Sequence, residues 1–92
     1  MIEVLQVYPV DDFKVYLYFN DGKIKLYNVK PLLDKGIFTK LADKQFFLER
    51  CTVLNHTLAW DVKENYDPYE CIDLDPIVLY EKSIEAKDPL EN

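Results

Sequence analysis

Ninety-two residues leave room for a single domain, because domains shorter than about 50 residues are rare. Apolar residues make up 49% of the chain, with 7 Tyr, 5 Phe and 1 Trp among them, so a packed core is available and intrinsic disorder is excluded. A net charge of -6 opposes the counterion release that drives nucleic-acid binding, and so disfavours that class of partner.

The charge is unevenly placed. Residues 1–50 carry 8 basic and 7 acidic groups, and residues 51–92 carry 3 basic and 10 acidic ones, so an electrostatic partner of the second half is expected to be basic. No stretch approaches the roughly 18 consecutive apolar residues of a membrane span. The opening residues MIEVLQVYPVDD lack the basic, apolar and small-residue regions of a secretion signal, and the chain is expected to be cytoplasmic. In that reducing setting Cys51 and Cys71 are expected to be free thiols.

In chain order, Ile2 to Val7 reads as a strand ending at Tyr8-Pro9. Residues 13–19 and 24–29 then alternate with period two on either side of Asp21-Gly22, the signature of a β-hairpin. A two-residue turn sets Phe19 opposite Ile24, Leu17 opposite Leu26 and Val15 opposite Asn28. That register places Phe13, Val15, Leu17, Phe19, Ile24 and Leu26 on one face, and Tyr16, Tyr18, Tyr27, Lys14, Lys23 and Lys25 on the other.

Lys30 to Gly36 reads as one helical turn, opened by Pro31 and ended by Gly36. Asp43 suits the N-cap of a short amphipathic helix carrying Phe46, Phe47 and Arg50. A second hairpin follows, with Asn55-His56 as its turn, Val53 opposite Leu58 and Cys51 opposite Trp60. Residues 61–71 hold four acids and a proline, and read as an exposed loop. Asp75 caps and Pro76 opens a last helix to about Ser83, with Ile77, Tyr80 and Ile84 along one side. The fold class is thus α+β, a small antiparallel sheet built from hairpins with two or three short helices. One domain covers residues 1–84, followed by a flexible acidic tail over 85–92.

The order Phe19-Asn20-Asp21-Gly22, Pro31-Leu32-Leu33-Asp34-Lys35-Gly36, Ile37-Phe38, Leu41-Ala42-Asp43, Phe46-Phe47, Ala59-Trp60 and Asp73-Leu74-Asp75-Pro76 with Leu79-Tyr80 resembles the bacterial Domain of Unknown Function 2442 family. The resemblance runs from residue 4 to about residue 82, and its most specific pieces are 31–38 and 71–81. It implies a compact α+β fold without an established activity. Members of that family are in some cases fused to a helix-turn-helix segment, or encoded beside another small protein in a toxin–antitoxin-like arrangement. This chain departs from the pattern by ending soon after its last helix, where no DNA-binding module is expected, and by a longer acidic stretch between Trp60 and Asp73.

No catalytic constellation emerges. Gly22 and Gly36 are the only glycines, which rules out a phosphate-cradling loop, and Ser83 is the sole serine. Cys51, His56 and Cys71 fall short of the four ligands of structural zinc, and no metal or cofactor is expected. A Cys–His nucleophile pair requires an exposed thiol of depressed pKa, whereas both cysteines flank apolar strand positions. The acids from Asp61 to Asp75 supply oxygen atoms, but Lys63 and Tyr66 break an EF-hand pattern, and caps and turns account for most of these side chains.

The reading that remains is a non-enzymatic protein-interaction module, antitoxin-like in its partnership with a small protein that is expected to be basic. Its candidate residues are Tyr16, Tyr18, Tyr27, Lys14 and Lys25 on the hairpin, and Asp61, Asp67 and Asp73 on the acidic rim. The alternative is a small-molecule or divalent-cation binding domain with Trp60 and Tyr66 as pocket walls. The edges of so small a sheet also allow pairing between copies of the chain.

Overall fold

The computed structural model describes residues 1–91. Two antiparallel sheets, short α-helices and 3₁₀ segments make the expected α+β fold. Strands β1 (Val4–Val10), β2 (Lys14–Phe19) and β3 (Ile24–Asn28) form a meander, and the two-residue β7 (Ile84–Glu85) adds to the free side of β3. Strands β4 (Cys51–Leu54), β5 (Thr57–Asp61) and β6 (Cys71–Asp73) make the second sheet, with β5 in the centre. Helix α1 (Lys44–Glu49) precedes β4, and α2 (Pro76–Lys82) joins β6 to β7. The single turn expected over residues 30–36 is a 3₁₀ segment at Lys30–Leu32, and a second follows over Gly36–Ala42, entered through Gly36 at φ +51°.

The first hairpin does not have the expected register. Phe19 N–H donates to the carbonyl of Lys23, closing a three-residue loop of Asn20, Asp21 and Gly22, and Gly22 N–H donates back to the carbonyl of Phe19. Gly22 takes φ +89°, as a type I turn followed by a left-handed glycine requires. Val15 therefore pairs with Tyr27, Leu17 with Lys25 and Tyr18 with Ile24. A slip of one position turns every side chain of β3 over. Lys25 and Tyr27 face inward beside Leu17 and Val15, while Ile24 and Leu26 lie outward with Tyr18 and Tyr16.

Pro9 does not end β1, which runs on to Val10; as an edge strand β1 tolerates a residue without an amide hydrogen. The second hairpin has its expected register, Cys51 with Trp60 and Val53 with Leu58. Asn55 and His56 adopt φ +55° and +62°, the two left-handed positions of a type I′ turn. Asp43 caps α1 by accepting from the Gln45 and Phe46 amides, and Asp75 caps α2 by accepting from Ile77. Leu79 is the buried residue of α2. Ile77 is 55% exposed, and Ile84 has left the helix for β7, because α2 ends at Ser83, whose backbone is extended. The apolar stripe expected at Ile77, Tyr80 and Ile84 is therefore not the packed face.

The core lies between the sheets. Val4, Val15, Leu17, Phe19 and Tyr27 from the first meet Leu58, Trp60 and Ile72 from the second, with Leu41, Phe47 and Leu79 closing the sides. Each such large side chain contributes about 1.5–3 kcal/mol by leaving water. Trp60 is fully buried, its indole N–H donates to the carbonyl of Phe47 at 3.0 Å, and the two rings stand 5.5 Å apart. Of the stretch 85–92, read from the sequence as a tail, Glu85 pairs with Lys25 and the Ala86 amide donates to the carbonyl of Ile24; Asn92 lies outside the described residues.

Candidate functional site

The outer face of the four-stranded sheet carries a row of large side chains that crosses every strand. Tyr8 on β1 pairs with Tyr16 on β2, Tyr16 with Leu26 on β3, and Leu26 with Ile84 on β7. Because facing residues of neighbouring strands project to the same side, these four form one continuous strip. A second row of Gln6, Tyr18 and Ile24 runs beside it. Tyr8 and Tyr16 have ring centroids 6.5 Å apart, and Ile84 is 66% exposed.

The tail borders one corner of this face. The Tyr18 hydroxyl donates to Asp88 Oδ1 at 2.6 Å, and partial burial together with that carboxylate pushes the phenol up to about 12. Lys14 lies at the other end, 3.8 Å from Asp12, and Lys23 is 3.7 Å from Glu85.

Lys25 and Tyr27, expected on this face, belong to the interior. Lys25 is 9% exposed; its ammonium donates to the carbonyl of Tyr80 and sits 4.3 Å from the centre of that ring. Tyr27 is buried, which raises its phenol pKa. Trp60, expected to wall a pocket, is a core residue. Tyr8, Leu26 and Ile84 went unrecognised as members of the strip, and Ile24 as part of the row beside it. The signal for Ile24 and Leu26 was present in the Asn-Asp-Gly sequence, which serves a three-residue loop ending in glycine as well as a two-residue turn.

The acidic residues have separate local tasks. Asp67 Oδ1 accepts from the Tyr69 amide at 2.8 Å and starts a turn, and Asp73 Oδ2 accepts from the Asn55 side chain at 3.2 Å. Among the described residues, no group of three or more His, Cys, Asp or Glu side chains comes together in the manner of a metal site.

Asp61 differs from the others. It ends β5 with only 4% of its surface exposed, and its Oδ2 accepts from the Tyr66 amide at 3.1 Å. Its Oδ1 is buried without a partner. Arg50 Nη1 donates to the carbonyls of Asp61 and Val62 at 3.0 and 3.1 Å, and Nη2 lies 3.1 Å from Glu64. Asp61 and Tyr66, both candidates from the sequence, thus line one surface cavity of about 210 Å³ together with Glu49, Arg50, Thr52 and Glu64.

The cysteines do not combine. Cys51 faces Trp60 and Cys71 faces Asp61, and these consecutive residues of β5 point to opposite sides of the sheet, so no bridge forms. Burial pushes the Cys51 thiol up to about 12. Cys71 is raised by burial and by the carboxylates of Asp73, Asp61 and Asp67. His56 stands on the exposed turn, with Nδ1 3.8 Å from Glu3. A reactive thiolate requires the reverse, a depressed pKa beside a base.

Two small antiparallel sheets around one core, with an open tyrosine-bearing face, define a compact α+β domain. The chain matches the family described as "Protein of unknown function (DUF2442)" over residues 4–85, and it belongs to that family. No curated protein and no solved structure matches it. Among the described residues, no helix is long and apolar enough to cross a membrane.

Proposed function

We propose that this protein is a non-enzymatic, cytoplasmic interaction module that docks a small basic protein on the outer face of its four-stranded sheet, in an antitoxin-like partnership. The observation that carries this reading is the row Tyr8, Tyr16, Leu26 and Ile84, which sets aromatic and aliphatic area side by side across all four strands. Tyrosine suits such a role, since it offers a large rigid surface with a polar tip, and aromatic residues are enriched where interfaces concentrate their binding energy.

Charge favours a basic partner. The lysines nearest the face, Lys14 and Lys23, already stand beside Asp12 and Glu85, and the whole chain carries -6. Complementary charge chiefly accelerates encounter and weakens with salt.

The test is co-purification of the tagged protein from its own source organism at low and high salt, alongside the double variant Tyr16→Ala/Leu26→Asp. A small basic protein retained by the native chain, released by salt and lost from a still-folded double variant, is the expected result. Recovery of chaperones alone, or a partner held equally well by the variant, overturns the reading.

A further inference from the structure

We infer that the cavity between α2 and the 3₁₀ segment Lys30–Leu32 is a binding site for a small organic acid, one that carries a carboxylate on an apolar body. Tyr27 lines this cavity and is only 7% exposed, with its ring part of the core. Among the described residues its hydroxyl makes no hydrogen bond, and burial alone raises its pKa. That oxygen is nevertheless not sealed in, because the one enclosed side-chain polar atom without a partner among the described residues is Asp61 Oδ1. The small part of Tyr27 left open therefore includes its hydroxyl, and the cavity is where the residue meets the surface. A buried tyrosine normally finds a partner for its hydroxyl, and here the opening lets that partner come from outside the chain.

The chain builds the opening from three elements. Strand β7 pairs with Lys25 and Leu26 and stops before Tyr27, so no strand covers that end of β3. The Lys35 amide donates to the carbonyl of Leu32 at 3.0 Å, which holds this lysine against the turn after β3. Val78 and Lys82 lie four positions apart on α2 and so share one face of the helix. Pro31, Leu32, Leu74 and Val78 supply apolar wall, and Lys35 and Lys82 supply charge.

That charge is uncompensated. Lys14, Lys23, Lys30, Lys44 and Lys63 each stand beside an acid, whereas among the described residues Lys35 and Lys82 pair with none, and no acid lines the cavity. In a chain of net charge -6, this is a local excess of positive charge beside apolar surface. The volume of about 560 Å³ falls within the roughly 300–1,000 Å³ of small-molecule sites. A carboxylate accepts from the phenol and from an ammonium, and such charge-assisted bonds are the strong ones. Its apolar body leaves water against the wall, a gain that a bare inorganic anion lacks. Tyr27 points to the side of β3 opposite the tyrosine strip, so the site does not depend on that strip.

The test follows backbone amide shifts of the 15N-labelled chain as 3-phenylpropionate is added. Neutral 3-phenylpropionamide and acetate, which lacks the apolar body, serve as controls. Saturable shifts at Tyr27, Leu32, Val78 and Lys82 are expected with 3-phenylpropionate, and much weaker binding with either control. Lys35→Gln and Lys82→Gln, both at exposed positions, are each expected to weaken binding several-fold.

Tyr27→Phe keeps the ring and removes the hydroxyl. It is expected to weaken binding about tenfold and to leave the urea-unfolding midpoint unchanged, since the hydroxyl has no partner within the fold. A clear loss of stability in Tyr27→Phe would show that the hydroxyl serves the fold, and the inference fails. It fails equally on no saturable shift, on equal shifts with the amide, or on binding undiminished in the lysine variants. A short peptide ending in phenylalanine that binds more tightly than 3-phenylpropionate would assign the cavity to a chain terminus and overturn the small-acid reading.

Discussion

The hydroxyl of Tyr80 donates a 2.7 Å hydrogen bond to Oδ2 of Asp21, tying α2 to the first hairpin loop across 59 positions of sequence. The same ring meets Phe19 edge-on at 4.9 Å and lies under the Lys25 ammonium. One side chain thereby joins the loop, both strands of the hairpin and the helix. The Tyr80 hydroxyl is the main cause holding the Asp21 carboxyl below its ordinary value of 3.8, with the Lys23 amide next.

A carboxyl lowered in the folded state adds stability above its unfolded value, and that contribution is lost as pH falls through the folded one. Tyr80→Phe removes the donor while keeping the ring. The Asp21 titration followed by NMR is then expected to move up toward 3.8, and acid unfolding to lose part of its dependence on pH in this range. An Asp21 titration unchanged by the substitution would show that the loop amides alone set it.

Lys25 illustrates how a residue expected on the surface comes to be structural. Its stem packs inward beside Leu17, and its ammonium caps a carbonyl in the last turn of α2, where a positive charge also complements the helix dipole. Lys25→Met keeps most of the stem and leaves the carbonyl of Tyr80 without that donor. A loss of about 1–3 kcal/mol in urea unfolding is expected, against less than about 0.5 kcal/mol for Lys23→Met on the exposed loop. Equal effects at the two positions would mean that the interior ammonium contributes nothing.

The contrast between the two hairpins explains what was legible in the sequence. At Asn55-His56, two residues lie between apolar runs and only one turn length keeps Val53, Leu58 and Trp60 on usable faces, so pattern and turn agree. At Asn20-Asp21-Gly22, the glycine satisfies a two-residue and a three-residue loop alike, and β3 has alternating large side chains on both faces. Its periodicity is then silent about which face is buried. Tertiary contact decides, through Tyr80 waiting for Lys25 on the inner side and β7 delivering Ile84 beside Leu26 on the outer. The Asp61 cavity was half visible for a related reason. The acids and Tyr66 stand out in the sequence, but the arginine that positions them is on a different element.

The turn of the second hairpin offers a gain rather than a loss. His56 holds φ +62°, a region that disfavours side chains with a Cβ and suits glycine, and Asn-Gly is the preferred pair for this turn. His56→Gly relieves that strain but frees the unfolded chain, so the net expectation is a rise of up to about 1 kcal/mol in stability. Thermal or urea unfolding measures it. A clear loss would show that the imidazole, near Glu3, does more than occupy the turn.

Cys51 provides the alkaline counterpart of Asp21. Burial against the core raises its thiol from 9.0 to about 12, so the folded state keeps a proton that the unfolded chain gives up. Stability on this account is complete below about pH 9 and declines as pH climbs toward 12. Tyr18, raised from 10.0 to about 12, acts in the same direction but begins later. Cys51→Ala should therefore flatten the stability curve between pH 9 and 10 while leaving the steeper fall above it, and Tyr18→Phe should do the reverse. The same burial predicts slow alkylation of native Cys51 by iodoacetamide at pH 8, accelerating when urea opens the fold. Rapid modification of the native chain, with an unchanged curve in Cys51→Ala, would place that thiol in contact with solvent and return the Cys–His reading to consideration.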